Sequence, residues 1–210
     1  MQQHQELVSF FEHHSKQIDV FNRGEFIYHQ GDCARKVYLV KHGNVSIGTL
    51  TDRDREIIKS VASANDFFGF SVVYEGKGRS NFAKALNNVV AQSVPEKLFA
   101  DHLRYNCELC LEVITNLCQK LHRSRKRLDQ WQTLESRARV VESLKHFAEI
   151  AGSRKGNEIR ISNLFTHEDL ANFSGLSRQT ATMTLLQLRN EKQLHYAGSL
   201  FVIKNLNTLK

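Results

Sequence analysis

Hydrophobic runs and turn-forming residues alternate at short intervals in the first half of this chain. From Gly24 to Val94, runs rich in β-branched and aromatic residues are separated by glycine, asparagine and aspartate, which is the pattern of a strand-rich domain. We predict a compact all-β barrel or jelly roll. The predicted strands are Glu25–Tyr28, Val37–Lys41, Val45–Leu50, Glu56–Ala62, Phe82–Leu86 and Val89–Val94.

The pattern changes between about Asn106 and Leu134, where apolar and small residues recur at alternating steps of three and four. This spacing predicts a long helix with a coiled-coil seam. A second copy of the chain would be its partner, so we expect a homodimer; alternatively, the seam packs on the chain's own barrel. The seam residues are Cys107, Cys110, Ile114, Leu117, Leu121, Ser124, Leu128 and Trp131. Beside it, a solvated basic face is predicted for Lys120, Arg123, Arg125, Lys126 and Arg127.

Two short helices around a tight turn are predicted for residues 166–190. Thr166 and Asp169 have the spacing of a capping box, which begins a helix. Gly175 supplies the turn, and Ser177 is a suitable N-cap for the second helix. Two β-prone runs follow at 193–196 and 200–203, as in the hairpin of a winged helix-turn-helix.

The second of these helices has the polar face of a DNA-reading helix. A stripe of Ala181, Leu185 and Leu188 is predicted to be buried, which leaves the opposite side of the first turns exposed. Arginine pairs with guanine and glutamine with adenine, whereas threonine and methionine can contact a thymine methyl. An ordinary helical hairpin is the alternative. The predicted DNA-binding residues are Ser177, Arg178, Gln179, Thr182 and Met183.

The positive charge lies in the half of the chain with this motif. Residues 1–118 carry 13 Lys and Arg against 14 Asp and Glu, a net charge of −1, whereas residues 119–210 carry 16 against 8, a net charge of +8. Such an excess suits double-stranded DNA as a partner. A merely solvated basic surface is the alternative.

Length and composition restrict the class of protein further. With 210 residues, of which 41% are hydrophobic, the chain can bury one moderate core and a smaller second one. No apolar run approaches the roughly 20 residues that span a membrane, and the first residues lack the features of a signal peptide. We therefore expect a cytoplasmic protein with no membrane partner.

The order of barrel, long helix and winged helix-turn-helix resembles the Crp/Fnr family of bacterial transcription regulators over nearly the whole chain. The motifs that carry the resemblance are Gly24–Ile27 with Gly31-Asp32, Val37–Val40 with Gly43–Val45, the cassette from Gly69 to Arg79-Ser80, and Gly175–Thr180. It implies an α+β protein with a cyclic-nucleotide-binding-like β-jelly-roll effector domain at 1–105. A dimerisation helix at 106–135 and a winged DNA-binding domain at 136–210 would follow.

The resemblance also implies an effector site, formed by Gly69, Arg79, Ser80 and Ser124. Arg79-Ser80 match the pair that holds the cyclic phosphate in cyclic-AMP-dependent members. Both side chains can donate hydrogen bonds to a phosphate. Those members have a glutamate after the cassette glycine, where this chain has Phe70, and Arg125 replaces a serine on the dimer helix. We therefore expect that cyclic AMP is not bound, and that another anionic effector or none is used. Alternatively, Arg79 pairs with a surface carboxylate.

The DNA-reading residues match the family in part. Cyclic-AMP-dependent members begin this helix with Ser-Arg-Glu-Thr and place a second arginine one turn later, whereas this chain has Gln179 and Met183 at those two positions. The resemblance makes Arg178 the principal base reader and implies a different half-site. It also implies a contact with RNA polymerase in the loop Gly152–Asn157, where Arg154 and Lys155 are candidates; ordinary exposed charge is the alternative.

The cysteines and histidines of the chain raise two alternative functions. Cys107, Cys110 and Cys118 share one face of the predicted helix and would suit a redox or metal sensor, or else are buried structural thiols. A β-barrel metal-dependent enzyme would need closely spaced histidines, but His29 and His42 lie in different turns and no His-x-His occurs. We expect no enzyme activity and no resident metal or other certain cofactor.

Overall fold

The computed structural model describes residues 5–70 and 78–210. The chain divides into two compact units, residues 1–125 and 126–210, which are described separately. The predicted sequence of a strand-rich N-terminal region, a long helix and a C-terminal winged helix-turn-helix is confirmed.

The first unit consists of two four-stranded antiparallel sheets and the helices that cover one of them. The sheet orders are β1-β8-β3-β6 and β2-β7-β4-β5. The elements are α1 (Gln5–His14), β1 (Gln17–Phe21), β2 (Phe26–Tyr28), β3 (Lys36–His42), β4 (Val45–Leu50), β5 (Glu56–Ala62), β6 (Phe67–Phe68), β7 (Phe82–Ala85), β8 (Val89–Pro95), α2 (Glu96–Tyr105) and the long α3 (Cys107–Thr133), which continues into the second unit.

Two apolar clusters hold this unit together. Between the sheets, Tyr28, Tyr38, Val45 and Phe68 belong to one buried cluster. On the outer side of the first sheet, α1, α2 and the start of α3 form the second cluster, with Leu7, Phe11, Phe67, Phe99, Leu109 and Val113 buried. Burying one such large side chain stabilises the fold by about 1.5–3 kcal/mol, so these clusters fix the helices on the sheet.

The six predicted strands are present, with ends that differ by at most one residue, but α1, β1 and β6 were not predicted. The first helix is held in part by a distant residue, because the Glu112 carboxylate on α3 accepts hydrogen bonds from the backbone N–H groups of Glu6 and Leu7 at 3.0 and 2.8 Å. In β1, Ile18 and Val20 are each 67% exposed, so these two apolar residues point away from the core and only Phe21 packs against it. The two-residue β6 is too short to give an alternating pattern.

The second unit contains the end of α3 and a winged helix-turn-helix. Its elements are α4 (Ser136–Ala151), β9 (Ser153–Lys155), β10 (Glu158–Ser162), α5 (His167–Ser174), α6 (Arg178–Asn190), β11 (Leu194–Ala197) and β12 (Leu200–Ile203). The four strands form one sheet in the order β11-β12-β10-β9. Part of the predicted loop Gly152–Asn157 is therefore strand, because Arg154 of β9 pairs with Ile159 of β10.

Most of the predicted seam of α3 is exposed in the single chain. Ile114, Leu121 and Leu128 are 49, 52 and 54% exposed, whereas the first unit buries Leu109 and Val113. The alternative that the seam packs on its own barrel is therefore wrong. No helix in residues 5–70 and 78–210 is both long and apolar enough to cross a membrane.

Trp131 departs from the predicted seam. It is only partly exposed and lies beside Gly175, where an added Cβ would stand 3.6 Å from the indole ring. The guanidinium of Arg139 donates to the Trp131 carbonyl at 2.6 Å, which fixes the end of α3. The seam pattern alone did not reveal this contact, because aromatic residues suit a helix pair and a domain core equally well.

Candidate DNA-reading surface and effector site

Local hydrogen bonds fix the two helices of the helix-turn-helix. The Thr166 hydroxyl accepts from the Asp169 backbone N–H at 3.1 Å, and the Asp169 carboxylate accepts from the Thr166 N–H at 2.8 Å. This confirms the predicted capping box. Gly175 ends α5 with φ of 70°, a left-handed conformation that glycine adopts at little cost. Ser177 caps α6 by accepting from the Thr180 N–H at 3.1 Å.

The polar face of α6 points to solvent. Ala181, Leu185 and Leu188 are fully buried, as the sequence predicts, and orient the helix. The Arg178 side chain is 72% exposed, Met183 is 53% exposed, and Ser177 and Gln179 are exposed. Thr182 is only partly exposed. Four of the five predicted side chains therefore lie on one accessible surface.

Two residues of α5 contact this surface and were missed by the sequence analysis. The Glu168 carboxylate lies 3.7 Å from the Arg178 guanidinium, and the His167 Nδ1 lies 3.2 Å from the Thr182 hydroxyl. Burial and the Arg178 charge both lower the pKa of His167. The predicted cap at Thr166 does place both residues in the first turn of α5. Their contacts with α6 could not be predicted, because these depend on how the two helices cross.

At the proposed effector site, Arg79 is buried and already has partners within the chain. Its guanidinium donates to the Gly69 carbonyl and, at 2.6 Å, to the Lys36 carbonyl. It also lies 4.1 Å from the centre of the Tyr28 ring. Only the Nε atom is buried without a hydrogen-bond partner among the described residues. Both of these partners are backbone carbonyls, and among the described residues no carboxylate forms an ion pair with Arg79.

Aromatic side chains fill the space around Arg79. Tyr38 and Phe68 stack with ring centres 5.1 Å apart, and Tyr28 lies next to both. Burial raises the pKa of Tyr28 and of Tyr38, although the Arg79 charge partly offsets this. Both hydroxyls therefore stay protonated at neutral pH. We call Arg79, Tyr28, Tyr38 and Phe68 the arginine cluster.

The other predicted effector residues are only partly brought together. Gly69 touches Arg79 through its carbonyl and has a φ of 81°, and a Cβ there would stand 2.9 Å from the guanidinium, so a larger residue would strain the backbone and displace Arg79. Ser80 and Ser124 are both exposed, and within the part of the chain that the structure describes no hydrogen bond joins Ser124 to the cassette. The centre of the predicted cassette, residues 71–77, lies outside the described residues.

Lys120 connects α3 to the strand that leads into the cassette. Its ammonium donates to the Phe67 carbonyl at 2.8 Å and lies 4.6 Å from the centre of the Phe67 ring and 5.1 Å from that of Phe70. Burial lowers the pKa of Lys120 to about 8. The prediction of a solvated basic face is wrong for Lys120, and also for Arg127, which packs 3.7 Å from the centre of the Phe173 ring.

The thiols of α3 form no disulfide within the described part of the chain and are largely accessible. Cys107 and Cys118 are exposed, and Cys110 is partly exposed. The single chain therefore does not bury these thiols in its own core, and their burial in the seam against a second copy of α3 stays a prediction. Within residues 5–70 and 78–210, no group of three or more His, Cys, Asp and Glu side chains is arranged to hold a metal ion.

Two family models match consecutive parts of the chain. The cyclic nucleotide-binding domain model matches residues 18–106, and the Crp-like helix-turn-helix domain model matches residues 138–210. The chain belongs to the Crp/Fnr family. Members of this family are DNA-binding transcription regulators, and that is the general function of this chain.

The relatives of this Crp/Fnr protein include regulators with different names. The chain is 22% identical to the CRP-like cAMP-activated global transcriptional regulator of Mycobacterium tuberculosis over 90% of its own length and 84% of the relative's. It is 26% identical to the global nitrogen regulator of Synechococcus elongatus over 84% of its length and 80% of the relative's. These relatives are transcription regulators rather than enzymes.

Solved structures share the fold. A transcriptional regulator of the CRP family from Thermus thermophilus has a TM-score of 0.79 and 26% identity, over 91% of this chain and 94% of that one. The c-di-GMP-responsive global regulator CLP of Xanthomonas campestris has a TM-score of 0.78 and 20% identity, over 93% and 97% of the two chains. The regulators named here respond to different ligands, cAMP in one case and c-di-GMP in another, so family membership alone does not identify an effector.

Proposed function

We propose that this Crp/Fnr protein is a homodimer that binds palindromic DNA, with α6 of each protomer in the major groove of one half-site. The observation that carries the proposal is the exposed polar face of α6, fixed by the buried stripe Ala181, Leu185 and Leu188. Ser177, Arg178, Gln179, Thr182 and Met183 are the proposed DNA contacts. Arg178 reads guanine, Gln179 favours adenine, and Met183 offers an apolar contact to a thymine methyl.

The exposed stripe of α3 supports the dimer. Ile114, Leu117 and Leu121 follow the alternating spacing of a coiled-coil seam and are 49, 40 and 52% exposed. Leaving this many large apolar side chains in water along one helix face is unfavourable, and a second α3 would cover them. Because equivalent residues face each other across a two-fold axis, the two protomers present two copies of α6, which suits half-sites about one DNA turn apart.

Arg178→Ala tests the assignment of the base reader. A residue that contacts a base lowers affinity for the selected site by about 1–3 kcal/mol and leaves binding to random DNA less affected. Binding of both DNAs is measured at one salt concentration, with Lys192→Ala as the exposed basic control outside the proposed reading face. If Arg178→Ala weakens both DNAs by the same factor, Arg178 contacts phosphate only and the base-reading role is wrong.

We also propose that the effector site does not bind cyclic AMP. Arg79 already donates to the Gly69 and Lys36 carbonyls, so a movement of its guanidinium toward a cyclic phosphate that breaks these bonds would cost about 1–3 kcal/mol for each buried carbonyl left without a donor. Phe70, directly after Gly69, cannot accept a hydrogen bond from a ribose hydroxyl. The residues present therefore do not fit a cyclic nucleotide. The unpaired Arg79 Nε supports at most another anionic effector, or the protein needs none.

Titration calorimetry with cyclic AMP tests this directly. We expect no heat of binding up to millimolar nucleotide and no change in DNA affinity. Tyr28→Phe, which keeps the aromatic ring against Arg79, is a control for the integrity of the arginine cluster. Micromolar binding of cyclic AMP that Arg79→Ala abolishes would contradict the proposal.

The β9–β10 hairpin is the proposed contact with RNA polymerase. Arg154 and Lys155 are both exposed there, next to Gly156 at the turn. We expect the double variant Arg154→Ala/Lys155→Ala to bind DNA normally but to change transcription from a promoter that carries the selected site. Unchanged transcription in a purified polymerase assay would remove the role of these residues.

A further inference from the structure

We propose that Cys107 and Cys110 form disulfide bonds between the two protomers when the protein is oxidised. This inference rests on the proposed parallel dimer, because each cysteine pairs with its own copy across the two-fold axis. It adds a covalent, redox-dependent link at the start of the dimer helix.

The position of the two thiols is well defined in the single chain. Cys107 is the first residue of α3 and Cys110 lies one turn later, and both are free thiols with exposed or partly exposed side chains. The first turn is fixed because the Asn106 side chain accepts from the Leu109 N–H at 3.0 Å and the Asn106 carbonyl accepts from the Cys110 N–H at 3.0 Å. The seam that starts with these thiols continues with the exposed Ile114.

Seam positions meet the distance requirement of a disulfide. Helix axes pack about 8–10 Å apart and Cα atoms lie about 2.3 Å from the axis, so equivalent residues at the two seam positions of a heptad lie roughly 4–6 Å apart. Disulfides join Cα atoms about 4.4–6.8 Å apart. Cys107 and Cys110 occupy two such positions.

Cys118 provides an internal contrast. It follows Leu117 by one residue and is turned roughly 75° from the middle of the seam, which places the two Cys118 Cα atoms roughly 8–10 Å apart in the same dimer. That distance exceeds the range of a disulfide. Although Cys118 is also exposed, it should not link the protomers.

A bond between Cys107 and Cys110 of one chain is less favourable. Residues three apart on a helix have Cβ atoms about 5–6 Å apart, whereas a disulfide needs about 3.5–4.5 Å. The first turn of α3 would have to tighten and lose its regular hydrogen bonds. The dimer geometry needs no such change.

Hydrogen peroxide is a sufficient oxidant for the reaction. It oxidises the thiol of one protomer to a sulfenic acid and releases one water. The equivalent thiol of the partner then attacks the sulfenic sulfur, so that an S–S bond forms, the S–O bond breaks and a second water leaves. Two thiols and one peroxide thus yield one disulfide and two waters. As the first residue of the helix, Cys107 is reachable from the open end of the seam.

The test treats the full-length reduced protein with hydrogen peroxide, blocks remaining thiols with N-ethylmaleimide and compares electrophoresis with and without reductant. We expect a reducible dimer band in the wild type and in Cys33→Ser/Cys118→Ser, and its loss in Cys107→Ser/Cys110→Ser. Size-exclusion chromatography of each reduced protein reports the non-covalent dimer separately.

The outcomes separate this inference from the proposed dimer. A reduced protein that elutes as a monomer contradicts the dimer itself. A reduced dimer that gives no covalent band contradicts only the disulfide, as does a band that persists in Cys107→Ser/Cys110→Ser or vanishes in Cys33→Ser/Cys118→Ser. Loss of two thiols per chain without a dimer band would assign the bond to a single chain and also overturn the inference.

Discussion

Replacing Lys120 with methionine removes a buried charge that links α3 to β6. Burial lowers the pKa of Lys120 from about 10.5 to about 8, so the folded protein favours the neutral amine relative to the unfolded chain. Between these two values the unfolded chain binds more protons, and the contribution of Lys120 to stability therefore increases as pH rises. The whole difference between these two pKa values corresponds to about 3 kcal/mol of unfolding free energy.

Only part of this energy is expressed in an accessible pH range. Between pH 7 and pH 9 the wild type should gain about 1 kcal/mol of unfolding free energy relative to Lys120→Met. At neutral pH the variant also loses the hydrogen bond to the Phe67 carbonyl and the contacts with the aromatic rings, which offset much of the relief from the buried charge. The pH dependence is therefore a cleaner measurement than the sign of the effect at one pH.

Urea unfolding of both proteins at pH 7 and pH 9, followed by circular dichroism, measures this difference. Lys126→Met is the matched control, because Lys126 is an exposed lysine on the same helix. The quantity compared is the unfolding free energy of the wild type minus that of the variant. For Lys120→Met we expect this difference to increase by about 1 kcal/mol from pH 7 to pH 9, whereas for Lys126→Met it should stay constant. If the difference for Lys120→Met is the same at both pH values, or is smaller at pH 9, the reasoning is refuted.

Three further predictions concern the helices. Gly175→Ala should destabilise the second unit by about 1–2 kcal/mol in thermal unfolding, because a φ of 70° is strained for alanine. Gly175→Asn should cost less, and equal stability of the two variants would contradict this explanation. Thr166→Ala removes the capping box and should lower stability by about 1 kcal/mol, whereas the control Thr208→Ala, at an exposed threonine, should be neutral. An unchanged melting temperature for Thr166→Ala would show that the cap contributes nothing. Leu121→Glu should convert the dimer to a monomer in size-exclusion chromatography, whereas Thr115→Glu on the same helix should not; a dimeric Leu121→Glu protein would rule out this seam.

The helix-turn-helix was predictable because its signals are local. The capping pair Thr166 and Asp169, the left-handed Gly175 and the N-cap Ser177 each act within a few residues, and the structure has all of them in the predicted places. The same holds for the central strands, whose hydrophobic runs are bounded by turn residues. Local consistency of this kind is what makes an element recognisable without tertiary information.

The parts that were not predictable depend on distant contacts. Helix α1 is capped by Glu112, more than one hundred residues away, although the spacing of Leu7, Phe10 and Phe11 was a signal that could have found it. The partners of Arg79 are backbone carbonyls, which no side-chain motif reveals. An arginine in a phosphate-like motif can thus donate to backbone carbonyls of its own chain.

The charged residues of α3 illustrate the same limit. Lys120 lies against Phe67 and Arg127 against Phe173, although both belong to a run of basic residues that is typical of a solvated face. The aliphatic stem of a long cationic side chain can cover apolar surface, and its charged group can pack against an aromatic ring. Composition alone therefore does not distinguish an exposed lysine from a structural one.

Selection of fragmented genomic DNA by the purified, reduced and effector-free protein tests the central claim most directly. The account predicts enrichment of a palindrome whose half-sites lie about one helical turn apart, with unchanged enrichment when cyclic AMP is added. Enrichment of a single, non-palindromic site would contradict the dimer that presents two copies of α6. Enrichment only in the presence of cyclic AMP would contradict the proposal that the effector site around Arg79 does not bind this nucleotide.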